Sequence, residues 1–464
     1  MTARPRRRVH LAVQLPGADA LAGWADPRPR ARVRSPAPRS STSSPLSSTS
    51  PSPSRSPVEF AAFERLGRTA ERGLFDFLLL DEGAWPCGCP DRGRDLDAVG
   101  RPEPLTTLAA LTGVTERLGL AATVDARCTE PYALARALAT VDHLSGGRAA
   151  WHLASSHDCL SAGDLDHGDT ELQQVVAGLW DSWPPSEGAA REFTSSGRHF
   201  DVAGAFTVPR PPQGRPVLIR AGDFPEERER AAAHADVVVV RHGTLEEGRA
   251  HYADVKRRSA RYGRGPDDLK VMAGVGVVLG DTAAGARERA AVGRRREVSP
   301  RHAILALERI WGTDLSSYDP DGPLPDFDPV PASGSAGEST GRGDAVALAE
   351  KWRALSREKG LSIRETVIEA GGRPSIVGTA ATVAGELDRY VRQGAADGFV
   401  LLPGHAPGGL DEFVDRVVPL LQERGAFRRR YRGTTLRSHL GLPDPAGEEG
   451  RSEGRGGLSE AVEG

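Results

Sequence analysis

Residues 142–158 read DHLSGGRAAWHLASSHD, and the parsing of this stretch decides the fold. Asp142 to Ser145 close a helix-like run whose apolar stripe is Leu134, Leu138, Val141 and Leu144. Gly146-Gly147 then supply a tight helix-to-strand turn, because glycine tolerates the left-handed backbone that ends helices. Arg148 to Ala154 suit a buried strand in which Trp151 and His152 alternate, and so face opposite sides. Ser155-Ser156-His157-Asp158 end that strand in small polar groups. A helix, a tight turn and a buried strand with a polar end make the repeating unit of a parallel α/β sheet.

The same unit recurs on both sides. Val9–Gln14 suits a first strand. Phe60, Phe63, Leu66 and Ala70 have helical spacing, and Gly73 closes that helix. LFDFLLLD (74–81) is an apolar strand ending in an acid, and Leu118–Val124 is a strand with Thr123 near its end. Leu172–Trp183 reads as a helix and His199–Val208 as an extended excursion. Pro216–Gly222 is a strand meeting a turn, Glu226–His234 a helix, and Asp236–Val240 a strand. Glu246–Tyr262 (helix), Leu269–Leu279 (strand), Thr282–Arg295 (helix), Gly398–Leu402 (strand) and Leu410–Glu423 (helix) continue the series. Strands such as LFDFLLL and ADVVVV are apolar on both faces, as strands covered by helices must be. About eight such units predict a (β/α)8 barrel, with an open doubly wound sheet as the structural alternative.

Irregular stretches divide the chain. Residues 1–26 hold the first strand, and 27–57 form a Ser/Pro-rich insertion with little to bury. Residues 58–440 are the barrel, interrupted at about 312–343 by an Asp/Pro/Gly/Ser-rich excursion, and 441–464 read as a disordered tail. The chain has 464 residues, 27% of them charged, and a formal net charge of −3. That balance gives no global field to recruit nucleic acid or anionic lipid. No apolar run reaches the roughly 18 residues of a membrane helix, and the short apolar stretch Val9–Leu15 is not a secretory signal. The default location is the cytoplasm. Four cysteines make no disulfide framework, and Cys87-x-Cys89 lacks the second pair that a metal needs, so no metal site is expected.

In a barrel, chemistry belongs at the C-terminal strand ends. The candidates there are Asp81, Thr123, Ser155, Ser156, His157 and the Ala221-Gly222-Asp223 turn, each of which could equally cap a loop. Gly146-Gly147 match neither a dinucleotide fingerprint nor a P-loop, and they precede their strand, at the barrel bottom. No Ser-His-Asp order or nucleophile elbow is present, so no catalytic residue is assigned.

The stretch ATVDARCTEPYALARALATVDHLSGGRAAWHLASS, with GLWDSW, GRHFDVAGAFTVPRPPQGRPVLIRAG, AAHADVVV and VGTAATVAGELDRYVRQGAADGFVLLPGHAPGGLDEFVDRVVPLLQERGAFRRRYRGTTLRSHLGL, resembles the bacterial luciferase-like flavin monooxygenases. It is most similar to their nitrilotriacetate, dibenzothiophene-sulfone and pristinamycin-type group, in order over residues 58–442. The resemblance implies a barrel with insertions that uses reduced FMN from a separate NAD(P)H-dependent flavin reductase. With dioxygen it would oxygenate a small organic substrate, and the chain would form a homodimer or higher homo-oligomer. It also implies cofactor-binding roles for Asp81, Thr123, His152, Ser156, Ala221 and Gly222, with His152 standing where the family has Asn. Two departures are plain. The turn that would receive the phosphate reads Asp223-Phe224-Pro225-Glu226-Glu227, and the segment from Ser156 to Leu172 is shortened. Two other readings stay open: a relative without catalysis that binds flavin weakly or not at all and acts as a partner subunit, and an oxidoreductase using the deazaflavin F420.

Overall fold

The computed structural model describes residues 7–15, 60–80, 102–126, 129–154, 162–184, 188–241, 243–330, 340–370, 375–402 and 409–445. Its strands are β1 (His10–Leu15), β2 (Phe77–Leu80), β3 (Gly119–Asp125), β4 (Ala149–Ala154), β5 (Glu192–Ser196), β6 (Asp201–Ala205), β7 (Val217–Ala221), β8 (Val237–Val240), β9 (Lys270–Leu279), β10 (Ser375–Gly378) and β11 (Gly398–Leu401). Eight of them close in the order β11-β1-β2-β3-β4-β7-β8-β9, with β9 returning to β11. Helices run between the barrel strands, so the fold is the expected (β/α)8 barrel. The Ser/Pro-rich insertion and Cys87-x-Cys89 lie outside the described residues.

Strand alternation sorts the core into two shells. Ala12, Phe77, Leu79, Ala121, Ala150, Val217, Ile219, Val237, Met272 and Val400 form the barrel interior. Trp151, Leu153 and Leu218 point outward against Leu172, Val175, Val176, Leu179 and Trp180 of the helix Ala162–Asp181. Trp151 is 1% exposed and meets Trp180 edge-on, with ring centroids 6.1 Å apart. The alternation of Trp151 and His152 is thus as the strand period requires.

The barrel bottom is sealed by the first half of the 142–158 stretch. Gly146 is left-handed (φ 67°, ψ 39°). Gly147 has φ 89°, and a Cβ there would lie 2.8 Å from Thr435 Cγ2. Asp142, wholly buried, accepts from Ala149 N–H (3.0 Å), Gln213 N–H (3.1 Å) and Gln213 Nε2 (2.7 Å). Burial raises its pKa, against the pull of those donors. Gln213 Oε1 then accepts from Arg437 N–H at 3.0 Å, and Arg437 forks onto Asp236 at 3.0 and 2.8 Å. The short helix Leu436–Leu440 brings Leu436 and Leu440 into the interior shell, and Leu442 joins them.

Several local details differ from the sequence reading. The helix Phe60–Arg72 is followed by Gly73, but the left-handed residue is Leu74 (φ 57°). Gly73 is needed for space, since a Cβ there would lie 2.6 Å from Val414 Cγ2. The excursion around 199–208 is half of an antiparallel hairpin, β5 with β6. The closing helix divides into Gly409–Arg416 and Val418–Glu423, where Pro419 has no N–H to continue the helical bonds.

Residues 275–383 form a second compact unit. There the end of β9 pairs with β10, and Ala303, Leu307, Trp311, Leu315 and Ile363 build a separate core. Residues 312–330 contain no helix or strand, yet Leu315 and Leu324 are buried and Trp311 Nε1 donates to Phe327 O at 2.9 Å.

Two stability predictions follow from the barrel bottom. Asp142→Ala leaves three N–H donors without an acceptor and should cost about 3 kcal/mol in denaturant unfolding. His439, 6% exposed and stacked on Tyr431, has its pKa depressed by burial, and next by Arg428, to about 4. A histidine depressed in the folded state contributes stability that is complete above its unfolded pKa and lost as pH falls toward the folded one. Between pH 7 and 5 the protein should lose about 2 kcal/mol from this group. His439→Gln should flatten that slope in pH-resolved unfolding curves.

Candidate functional site

The interior changes character toward the C-terminal strand ends. Thr123 lies two residues beyond Ala121, and His152 two beyond Ala150, so both face inward above the apolar layer. The strand register sets them opposite each other, with Thr123 Oγ1 3.3 Å from His152 Nδ1. Ala221 follows Ile219 onto the same face. Gln14, two residues past Ala12, joins this polar layer and is paired in register with Leu79. Gln14 is not among the expected site residues, although the period of two in HLAVQL marks it. Asp81 and Ser156 lie outside the described residues, as do Ser155 and His157.

Thr123 and His152 are therefore brought together, and Ala221 caps the neighbouring strand. Gly222 has a different task. Its N–H donates to Val239 O at 2.9 Å, and a Cβ would lie 2.5 Å from Val238 Cγ2. It is a close-approach glycine whose amide is already used in the sheet.

The turn beyond it begins the helix Pro225–His234. A helix start at this face has N–H groups and a positive dipole end that suit an anion. Here the two N–H groups that lead into it, those of Asp223 and Phe224, are engaged internally. Glu227, 4% exposed, folds its carboxylate back so that Oε2 accepts from Asp223 N–H (3.1 Å) and Phe224 N–H (3.2 Å). Pro225 has no N–H. The Asp223 carboxylate accepts from Arg241 N–H (2.6 Å) and Arg241 Nε (2.7 Å). Arg228, in the first turns of the same helix, has its buried Nε 3.6 Å from Asp254 Oδ2 and without a hydrogen bond among the described residues, so it is held by charge alone. Arg220 is buried and belongs to the outward face, beside Leu218, where its charge helps depress the pKa of His234 after burial itself. The turn thus sets the carboxylates of Glu227 and Asp223 where a phosphate dianion would meet like charge. The inner pair, Thr123 with His152, raises no such conflict and can hydrogen-bond a neutral polar ligand.

A cavity of about 960 Å³ lies elsewhere, lined by Trp151, Trp180, Pro216, Leu218, Asp236 and Arg437. Pro216 and Asp236 immediately precede β7 and β8, which places it toward the barrel bottom, away from the strand ends where barrel chemistry sits. Its charges are matched internally, Arg215 with Asp181 and Arg437 with Asp236. Among the described residues there is no cluster of three or more metal-ligating side chains. No helix among them is long and apolar enough to cross a membrane.

Comparison with known proteins gives a consistent picture. A family model described as luciferase-like monooxygenase matches residues 41–397. Nitrilotriacetate monooxygenase component A of Aminobacter aminovorans is 38% identical over 421 residues, spanning 82% of this chain and 90% of that protein. Dibenzothiophene-sulfone monooxygenase of Rhodococcus erythropolis is 34% identical over 420 residues, spanning 82% of this chain and 90% of its own. Among solved structures, EDTA monooxygenase from Chelativorans sp. BNC1 superposes with a TM-score of 0.64 at 25% identity, covering 94% of this chain and 99% of that one.

The packing around Gly222 gives a direct test of its role. Gly222→Ala should destabilise the fold by about 2 kcal/mol through overpacking against Val238, read as a shift in the denaturant midpoint.

Proposed function

Because the chain belongs to the luciferase-like monooxygenase family, we propose that it is the oxygenase component of a two-component system. It is an oxidoreductase of the monooxygenase class. In this reading a separate NAD(P)H-dependent reductase supplies reduced flavin, FMN by family resemblance. Reduced flavin supplies two electrons, so one atom of dioxygen enters a small organic substrate and the other leaves as water. The observation that supports a site at the barrel mouth is the inward-facing pair Thr123–His152 above the apolar layer of the interior. That pair can orient a polar ligand edge, and the apolar layer beneath it keeps water from entering from below.

The Glu227-capped turn favours a second reading, a relative that has given up flavin and serves as a binding subunit. Anaerobic calorimetric titration with reduced FMN, oxidised FMN and F420 separates the two. Binding of reduced FMN tighter than about 100 µM is expected. Absence of binding by all three at that concentration overturns the enzyme reading, and binding of F420 alone replaces it with hydride-transfer chemistry.

A further inference from the structure

A phosphate-bearing ligand entering this barrel would ordinarily place its anion at a helix start beyond a strand end. In this chain, the four positions from Gly222 to the first helical residue, Pro225, offer it no N–H. Gly222 N–H is held by Val239 O, Asp223 and Phe224 N–H are held by Glu227, and Pro225 has none. The occupant is itself an anion, a buried carboxylate covalently tied to the third residue of the helix. Arg241, just past the neighbouring strand, is bonded to Asp223 through both its backbone and its side chain.

We propose that Glu227 is a specificity-determining residue: its carboxylate takes the place of a ligand phosphate, so this chain recognises its flavin by the ring system and not by the terminal phosphate. This deepens the flavin reading above and rests on it. A phosphate brought to the turn must either displace Glu227 from its two amides or sit beside a like charge. Like charges held a few ångströms apart repel strongly at a partly buried site. FMN thereby gains nothing over riboflavin, which carries the same ring and ribityl chain without the charge.

The test compares dissociation constants of FMN and riboflavin, both reduced and under anaerobic conditions, for the full chain. Wild-type protein should bind the two within about threefold of each other, or riboflavin more tightly. Glu227→Gln keeps an oxygen for the two amides but removes the charge, and Glu227→Gly also frees the amides. Both should shift the ratio toward FMN, the glycine variant by tenfold or more, while riboflavin affinity stays unchanged. A thermal melt on each variant establishes that it is folded, and Glu227→Gln serves where the glycine variant is not. Wild-type protein binding FMN tenfold or more tightly than riboflavin overturns this proposal and leaves the flavin reading standing. Equal binding that neither variant alters overturns the role of Glu227. Binding of neither flavin overturns the flavin reading and this inference with it.

Discussion

The closed end of the barrel depends on one buried carboxylate. Asp142 receives N–H groups from Ala149 and from both ends of Gln213, and so joins the start of β4 to the segment that leads into β7. Gln213 passes the connection to Arg437, and Arg437 to Asp236 at the foot of β8. Four distant parts of the chain meet in one polar chain beneath the apolar interior. A buried charge is tolerable only when its donors or acceptors are complete, which makes the arrangement intolerant of a single loss. It follows that helix 131–145, the Gly-Gly turn and the C-terminal residues 436–442 act as one floor.

Other buried charges in the same region obey the same rule. Arg148 gives its guanidinium to Ser145 O, Leu118 O, Thr115 O and Thr115 Oγ1 at 2.7–2.9 Å. Asp76, wholly buried, accepts from Leu11 N–H at 2.9 Å and faces His10 and Arg428. Burial alone would raise the Asp76 pKa, but the charges of Arg428 and His10 outweigh it and hold it well below the usual carboxylate range. Ion pairs of this kind add little net stability over apolar packing, yet they fix one arrangement because no alternative satisfies every partner. With the floor set so firmly, the opposite strand ends are free to vary their loops, which is where barrel enzymes differ from one another.

The parts of this fold legible in the sequence were those governed by backbone period. The alternation of Trp151 and His152, the turn at Gly146-Gly147 and the inward Thr123 all follow from strand and helix geometry acting on residue type. What stayed hidden depended on contacts between distant segments. The excursion near 199–208 became a hairpin, and the carboxylate of Glu171, from a separate helix, holds the amides of His199 and Phe200 at its turn. Gly73 looked like a helix cap, while the left-handed backbone fell on Leu74 and the glycine yielded to Val414. Gln14 could have been found by counting in twos from Ala12. At the site, the acids of 223–227 were legible as charges out of place for a phosphate. That Glu227 turns back onto the amides was not, because the direction of a side chain at a helix start is set by what else competes for those donors.

That competition explains why the turn is stable as it stands. A helix start has unsatisfied N–H groups and the positive end of the dipole, and a carboxylate at its third residue satisfies the N-cap N–H while lying at that positive end. In a barrel that binds a phosphate, the same groups must be left open and are satisfied only when ligand arrives. The free protein then bears the cost of exposed or strained donors. Glu227 removes that cost permanently, and Asp223 with Arg241 fixes the neighbouring strand end in the same manner. The helix gains stability independent of ligand. Among the described residues, the inner layer around Thr123 and His152 is the part of this mouth that presents neutral hydrogen-bonding groups rather than charge.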